Sequence, residues 1–333
     1  MSDRIGAALH SVECDQLIIE DPLDIFYLTG VTLSLGTLVL ERGGGVLYVD
    51  GRYLAAAKEC STLPVAPIAQ LWDREWGEQI GFDATRTMYS RFTLLASKLD
   101  EKRLTPLSAP LAPLRACKDE RELTAMRASC ALLKKGMQYA KTLLKEGITE
   151  RALATAFEAY VRQHGASGLS FEPIVAFGEN GAYPHHCPRD RPLELDEAVL
   201  LDAGVVVDHY CSDMTRVYPF GTPPSEVQHI HAVVKRAQRA AIGLCFPGTP
   251  LVEVDRAARS LIEEAGYGEA FCHSLGHGVG LEVHEAPRIS SEAEGELKTG
   301  MVVTIEPGIY LPGIGGVRHE DMVVITESGP VVL

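Results

Sequence analysis

The sequence contains no CxxC pair. Its eight cysteines stand singly at positions 14, 60, 117, 130, 187, 211, 245 and 272, so neither a zinc knuckle nor a thioredoxin-like redox pair is available. A disulfide framework is not expected in so long a chain, and the thiols read as inert or buried groups in a reducing compartment. A basic run is also missing. With 31 Lys and Arg against 45 Asp and Glu, the net charge is −14, which argues against nucleic acid and anionic membrane surfaces as partners and otherwise reads as solubility. No run of ~18 apolar residues occurs, which excludes a membrane-spanning helix. The opening MSDRIGAALHSVECD lacks the apolar core of a secretory signal, so the expected location is cytoplasmic.

What is present is an ordinary globular composition, 46% hydrophobic and 23% charged over 333 residues, long enough for two domains. Residues 1 to about 115 read as a small α/β domain. Gly36–Glu41 and Gly45–Asp50 have the look of adjacent strands with a glycine turn between them, and Arg52–Glu59 starts a helix. A stretch punctuated by Pro106, Pro110 and Pro113 is the best linker candidate. Residues 116–333 then form the second domain. Asp119 is the expected N-cap of a long helix stopping at Gly147, and a second helix runs from Thr149 to Gly165. Ser225 and Gln228 match a capping box at the head of a third, and Pro250–Ala265 is a fourth, closed by Gly266. Each helix pair precedes Gly-rich, strand-like sequence. The expected class is α+β, with helices covering one face of a sheet.

Carboxylates occur in this second half where they are costly. Ala198–Asp202 and Met301–Glu306 are apolar runs that each end in an acid, and an ionised carboxylate at the end of a buried strand needs a positive partner. If Val207-Asp208 is a two-residue hairpin turn, Asp202 lies directly opposite Asp213, a repulsive pairing without a structural purpose. Glu306 and Glu320 are likewise symmetric about residue 313, inside a Pro-Gly-rich loop. A single acid of this kind is usually a charged strand end; four acids in two mirrored hairpins suggest two divalent cations. His273, His277 and His284 fall within twelve residues, and Tyr183–Pro188 carries His185 and His186. The i, i+4 spacing of His273 and His277 resembles a zinc helix, but Gly276, Gly278 and Gly280 point to a strand or loop, and the Glu of H-E-x-x-H is absent. One imidazole with four carboxylates suits Mn²⁺, Co²⁺ or Zn²⁺ better than Ca²⁺.

Five blocks occur in order: Leu201-Asp202-Ala203-Gly204, Ser212-Asp213-Met214-Thr215-Arg216, His273 to Glu285, Thr304 to Tyr310, and Gly316 to Asp321. Together they resemble the signature of the pita-bread metallopeptidases, the group of prolidase, aminopeptidase P and methionine aminopeptidase. Asp24-Ile-Phe-Tyr-Leu-Thr-Gly30 and Tyr48–Tyr53 are similar to the non-catalytic N-domain of prolidases and aminopeptidases P. The resemblance implies a small α/β N-terminal domain followed by a pita-bread catalytic domain. It also implies two divalent ions, Mn²⁺ or Co²⁺ with Zn²⁺ as an alternative. Asp202 would bind one ion, His277 and Glu306 the other, and Asp213 and Glu320 both. His185 would sit on the substrate side, His273 and His284 would flank the cleft, and Arg318 would anchor substrate or orient a bridging acid. The implied activity is hydrolysis of Xaa-Pro bonds by a bridging hydroxide, with Glu306 as proton acceptor and a small peptide as substrate. A dipeptidase is favoured over an aminopeptidase P for longer peptides, and a homodimer is implied by analogy.

His186 and Cys187 after the Pro-His, and His319 beside Glu320, depart from the family's pattern; His319 is expected to face away from the ligands. Methionine aminopeptidase would leave the first domain unexplained. A metal-free creatinase-like enzyme or a non-catalytic binding module would not need all five ligands. A Cys–His nucleophile at Cys187 or Cys272 is the remaining alternative.

Overall fold

The computed structural model describes residues 2–10 and 12–333, and the chain divides into two compact units, Met1–Arg115 and Ala116–Leu333. No helix among the described residues is long and apolar enough to cross a membrane.

The first unit holds the helices α1 (Ser2–His10), α2 (Pro22–Thr29), α3 (Leu54–Cys60), α4 (Tyr89–Leu99) and α5 (Ala112–Ala116). Its strands are β1 (Gln16–Ile19), β2 (Gly36–Glu41), β3 (Gly44–Val49), β4 (Val65–Pro67), β5 (Ile80–Asp83) and β6 (Leu104–Leu107). They form one sheet in the order β4-β3-β2-β1-β5-β6, in which only β2 runs antiparallel to its neighbours. The Asp24–Gly30 motif is α2. Asp21 caps it through the Leu23 and Asp24 amides, and Gly30 ends it in the left-handed region at φ 76°. The proline-rich stretch expected to be a linker is ordered instead. Pro106 pairs with Phe82 in β6, an edge strand, where a residue without an N–H can be accommodated.

The second unit opens with α6 (Glu120–Thr142) and α7 (Glu150–Gln163). Asp119 and Glu122 form a reciprocal capping box on α6, and Thr149 caps α7; α6 ends at Thr142, before Gly147. The strands β7 (Gly168–Leu169), β8 (Ile174–Phe177), β9 (Glu197–Ala203), β10 (Val205–Val207), β11 (Tyr210–Cys211) and β12 (Met214–Phe220) come after them. Next are α8 (Ser225–Ile242) and α9 (Leu251–Glu264), and then β13 (Gly276–Gly278), β14 (Glu285–Ile289), β15 (Val302–Ile305), β16 (Gly308–Leu311), β17 (Gly315–Arg318), β18 (Asp321–Thr326) and β19 (Gly329–Val332). The capping box expected at Ser225 does not form. Pro224 is the N-cap, and Gln228 donates back to the Pro223 carbonyl at 2.7 Å.

Four sheets are described in this unit: the larger β14-β13-β15-β18-β19, the three-stranded β12-β9-β8 and β11-β10-β7, and the pair β16-β17. Leu133, Phe157 and Val161 of α6 and α7 share a core with Val199 and Leu201, whereas Ala198 and Leu200 belong to the core of α8, α9, β15 and β18. Strand β9 is therefore buried on both faces rather than on the single covered face expected. Asp202 is the second-last residue of this strand.

Hairpin register decides where the acids point. The turn between β10 and β11 is Asp208-His209, both with positive φ (48° and 72°), as a two-residue hairpin turn of the primed type requires. Asp202 consequently faces Thr215 and not Asp213. Moving the turn by one residue displaces the pairing by two, so Asp213 stays on the same face as Thr215 and Asp202. In the last hairpin one register runs from Val302↔Val324 to Leu311↔Gly315, and in that register Glu306 lies across from Glu320 in the break between the two ladders.

Helices α6 and α7 meet at Gly136. A Cβ there would stand 2.6 Å from Val161 Cγ1 and 2.7 Å from Phe157 Cε2. Alanine normally gains up to about 1 kcal/mol over glycine inside a helix, but overpacking two buried side chains costs roughly 1–3 kcal/mol. Gly136→Ala is expected to lower the denaturant midpoint; a raised midpoint would show that this contact has room to give.

Candidate metal centre

The acids and one histidine meet where strands end. Asp202 lies near the end of β9, Asp213 in the break between β11 and β12, and His277 is the middle residue of β13. Glu306 comes directly after β15, and Glu320 separates β17 from β18. The glycines around His277 have a direct cause. A Cβ at Gly276 would fall 1.9 Å from the Thr304 carbonyl oxygen, and one at Gly278 would fall 2.1 Å from that of Ala286. Only a glycine-flanked strand can approach closely enough to bring the imidazole over the carboxylates. His277 Nε2 lies 3.4 Å from Glu306 Oε1 and 3.7 Å from Asp213 Oδ2. Ligand atoms of Asp213, His277 and Glu320 all fall within 4.8 Å of one another.

Charge is only partly compensated inside this cluster. Arg318 donates from Nη2 to Asp202 Oδ2 at 2.5 Å, from Nε to Thr215 Oγ1 at 3.0 Å and from Nη1 to the Tyr310 hydroxyl at 2.8 Å. The Thr215 hydroxyl in turn donates to Glu320 Oε2 at 2.6 Å. Asp202 Oδ1 and Asp213 Oδ1 are buried with no partner among the described residues. Burial pushes Asp202 above the usual carboxylate range despite Arg318. Burial and neighbouring acids push Asp213 and Glu320 well above it. Glu306 behaves oppositely: burial raises it, but the His277 hydrogen bond and the charges of His277 and Arg318 outweigh burial and hold it low. Burial alone would lower His277, yet Glu306 raises it above its ordinary value.

These donors fit divalent metal. The His277 Nδ1–H donates to the Gly278 carbonyl at 3.0 Å, which leaves Nε2 as the ligand atom once its proton is lost. The Oδ1 atoms of Asp202 and Asp213 accept from none of the described residues, and hard carboxylates with one imidazole suit first-row divalent ions.

The five residues border a cleft of about 670 Å³, whose wall includes His185, His186, Cys187, His273, His284, Arg288 and Arg318. His185 and His284 are exposed to it, and His284 meets His277 edge-on at 4.4 Å between ring centres. His273 is held more tightly. Its Nδ1 bonds the Ser274 carbonyl at 2.8 Å and its Nε2 bonds the Tyr310 hydroxyl at 2.9 Å, while burial keeps its pKa low. It is a neutral strut against Tyr310 more than an open proton carrier. His319 turns away, its ring 6.2 Å from that of His231, with burial and Arg216 pushing it down to about 4. Thr215 and Tyr310 belong to the sequence blocks but carried no role there. Their signal was their position within the blocks.

The chain matches the model of metallopeptidase family M24 over residues 124–327 and that of the creatinase/prolidase N-terminal domain over residues 2–117. An uncharacterised peptidase of Staphylococcus saprophyticus is 37% identical across 98% of this chain and 97% of its own. The prolidase of Pyrococcus furiosus superposes with a TM-score of 0.91 at 35% identity, covering 98% of both chains. The X-Pro aminopeptidase of Thermotoga maritima superposes with a TM-score of 0.88 at 30% identity, covering 98% of this chain and 97% of that one.

Groups whose pKa folding raises, here Asp202, Asp213, Glu320 and His277, favour the folded state below their unfolded pKa values and lose that contribution as pH rises; Glu306, held low, acts in the opposite sense. Four groups against one predict that metal-free protein loses this part of its stability on going upward from about pH 4. A bound cation replaces those protons. The Tm difference between Mn²⁺-loaded and chelator-treated protein is therefore expected to widen from about pH 5 to pH 8, as thermal melts would read it. A constant or narrowing difference would count against a cation among these residues.

Proposed function

Because the chain belongs to metallopeptidase family M24, we propose that it hydrolyses the peptide bond preceding proline, acting best on Xaa-Pro dipeptides. The observation that carries this reading is the full-length similarity to a prolidase at 35% identity, combined with a cleft whose floor is the acid–histidine cluster. Asp202, Asp213, His277, Glu306 and Glu320 would hold two divalent ions, with Mn²⁺ or Co²⁺ fitting best and Zn²⁺ as the alternative. Bound there, the ions would acidify a water and polarise the scissile carbonyl.

The remaining work falls to side chains. Glu306, which directly follows β15 and lies 3.4 Å from His277 Nε2, accepts the proton of the attacking water and passes it to the departing imide nitrogen. The exposed imidazoles of His185 and His284 face substrate and help bear the charge that develops on the carbonyl oxygen. Arg318 orients Asp202 and opposes the burial that favours its protonation, and Tyr310 ties Arg318 to His273.

A second reading, aminopeptidase P activity on Xaa-Pro-Yaa peptides, has support of its own: the Thermotoga maritima aminopeptidase is matched over nearly the same share of both chains. Metal-reconstituted protein assayed on Xaa-Pro beside Xaa-Pro-Yaa separates the two. Dipeptide turnover that disappears in chelator and in Asp213→Asn, with at least about a hundredfold loss, is the expected result. Tripeptide turnover alone would select the second reading, and no metal-dependent cleavage of either would overturn both.

A further inference from the structure

Glu150 is the first residue of α7 and is wholly buried, yet it takes no part in the metal cluster. Each of its carboxylate oxygens accepts two hydrogen bonds. Oε1 receives the Phe177 amide at 2.9 Å and Asn180 Nδ2 at 2.8 Å; Oε2 receives His186 Nε2 at 2.8 Å and the Arg189 amide at 3.0 Å. These donors span the loop 178–189 from its entry at the end of β8, through its middle, to its exit. A carboxylate has four lone-pair sites, and this loop uses all of them. The backbone adds two ties, the Glu150 amide to the Arg191 carbonyl and the Arg151 amide to the Arg189 carbonyl.

The same loop forms one wall of the cleft. It exposes His185 and Cys187 there, and its Pro184 carbonyl accepts from Arg318 Nη1 at 3.4 Å. It also lies against β17, where Gly181 and Gly316 approach so closely that a Cβ on Gly316 would stand 2.1 Å from the Gly181 carbonyl oxygen. A continuous path of contacts thus runs from Glu150 through the loop to Arg318 and on to Asp202. His186 gains a function on this path. It is not a metal or substrate group but the donor that closes the middle of the loop onto Glu150.

We propose that Glu150 is a positioning residue, which with His186 clamps the 178–189 wall so that His185 and the Pro184 carbonyl are held in register with Arg318. The kinetic side of this inference rests on the Xaa-Pro peptidase reading; the structural side does not. Breaking the clamp should loosen the loop and weaken transition-state contacts while leaving the five metal ligands in place.

The test compares Glu150→Gln, His186→Ala and His186→Gln in full-length, Mn²⁺-loaded protein. Val254→Ala, a buried change on α9, serves as a control for general destabilisation. Hydrogen exchange of the 178–189 segment is expected to speed up by at least about tenfold in Glu150→Gln and His186→Ala, with peptides from α8 unchanged. kcat/KM on an Xaa-Pro dipeptide should fall by about tenfold or more at a Mn²⁺ affinity within about threefold of wild type. His186→Gln, which keeps a donor, should recover part of both. If Glu150→Gln does not fold, His186→Ala, which leaves the carboxylate in place, decides the question. Unchanged exchange in 178–189, or exchange that rises equally in every segment as in Val254→Ala, overturns the clamp. Wild-type protein inactive on every Xaa-Pro peptide would fail the activity reading alone, since the exchange measurement needs no turnover.

Discussion

Everything in the catalytic unit depends on the electrostatic cost of gathering Asp202, Asp213, Glu306 and Glu320 in one buried place. Isolated in a low-dielectric interior, each would be neutralised by protonation, and that is the direction in which Asp202, Asp213 and Glu320 are driven. The cluster is tolerable because Arg318 binds Asp202 and His277 faces Glu306 and Asp213. Two carboxylate oxygens still have no donor among the described residues. That incomplete compensation is what makes the cluster suited to cations, the role proposed for it.

Two hairpins deliver the charges, and each does so by register. The Glu306–Glu320 hairpin keeps one pairing on both sides of a break in its ladder, so both acids reach the same place without belonging to a strand. The hairpin of β9 to β12 does the same for Asp202 and Asp213 through a break at Ser212-Asp213, where the Asp213 amide donates to the Met322 sulfur at 3.2 Å. Glycine at 276 and 278 then lets β13 close on β14 and β15. Substitution at any of these glycines would act on the cluster through backbone separation, far more than through lost contact area.

Around the ligands the structure separates groups that compositional similarity would lump together. Of the six histidines flagged in the sequence, His277 faces the acids and His185 and His284 line open cleft. His273 is locked against Tyr310, His186 is sequestered by Glu150, and His319 faces His231. Burial and partner decide each role.

The sequence alone determined which costly acids and which histidine to expect together. Apolar runs ending in Asp202 and Glu306, the mirror spacing of Glu306 and Glu320, and glycines flanking His277 are local features. They reflect strand alternation, turn length and steric need, all of which act over a few residues. The division into an α/β unit and a larger α+β unit, with capped helices at Asp119 and Thr149, is local in the same sense. Local rules also failed in identifiable ways. The turn slipped from Val207-Asp208 to Asp208-His209 because a non-glycine histidine adopts positive φ there, and Pro106 entered a strand because that strand lies at an edge. Only the tertiary structure decided the partners: Arg318 with Asp202 across 116 positions, Thr215 with Glu320 across 105, His186 with Glu150 across 36. Such pairs arise where separate hairpins and helices pack together. Nothing in the residues flanking either member specifies the other, so the buried charges could be recognised in the chain while their compensation could not.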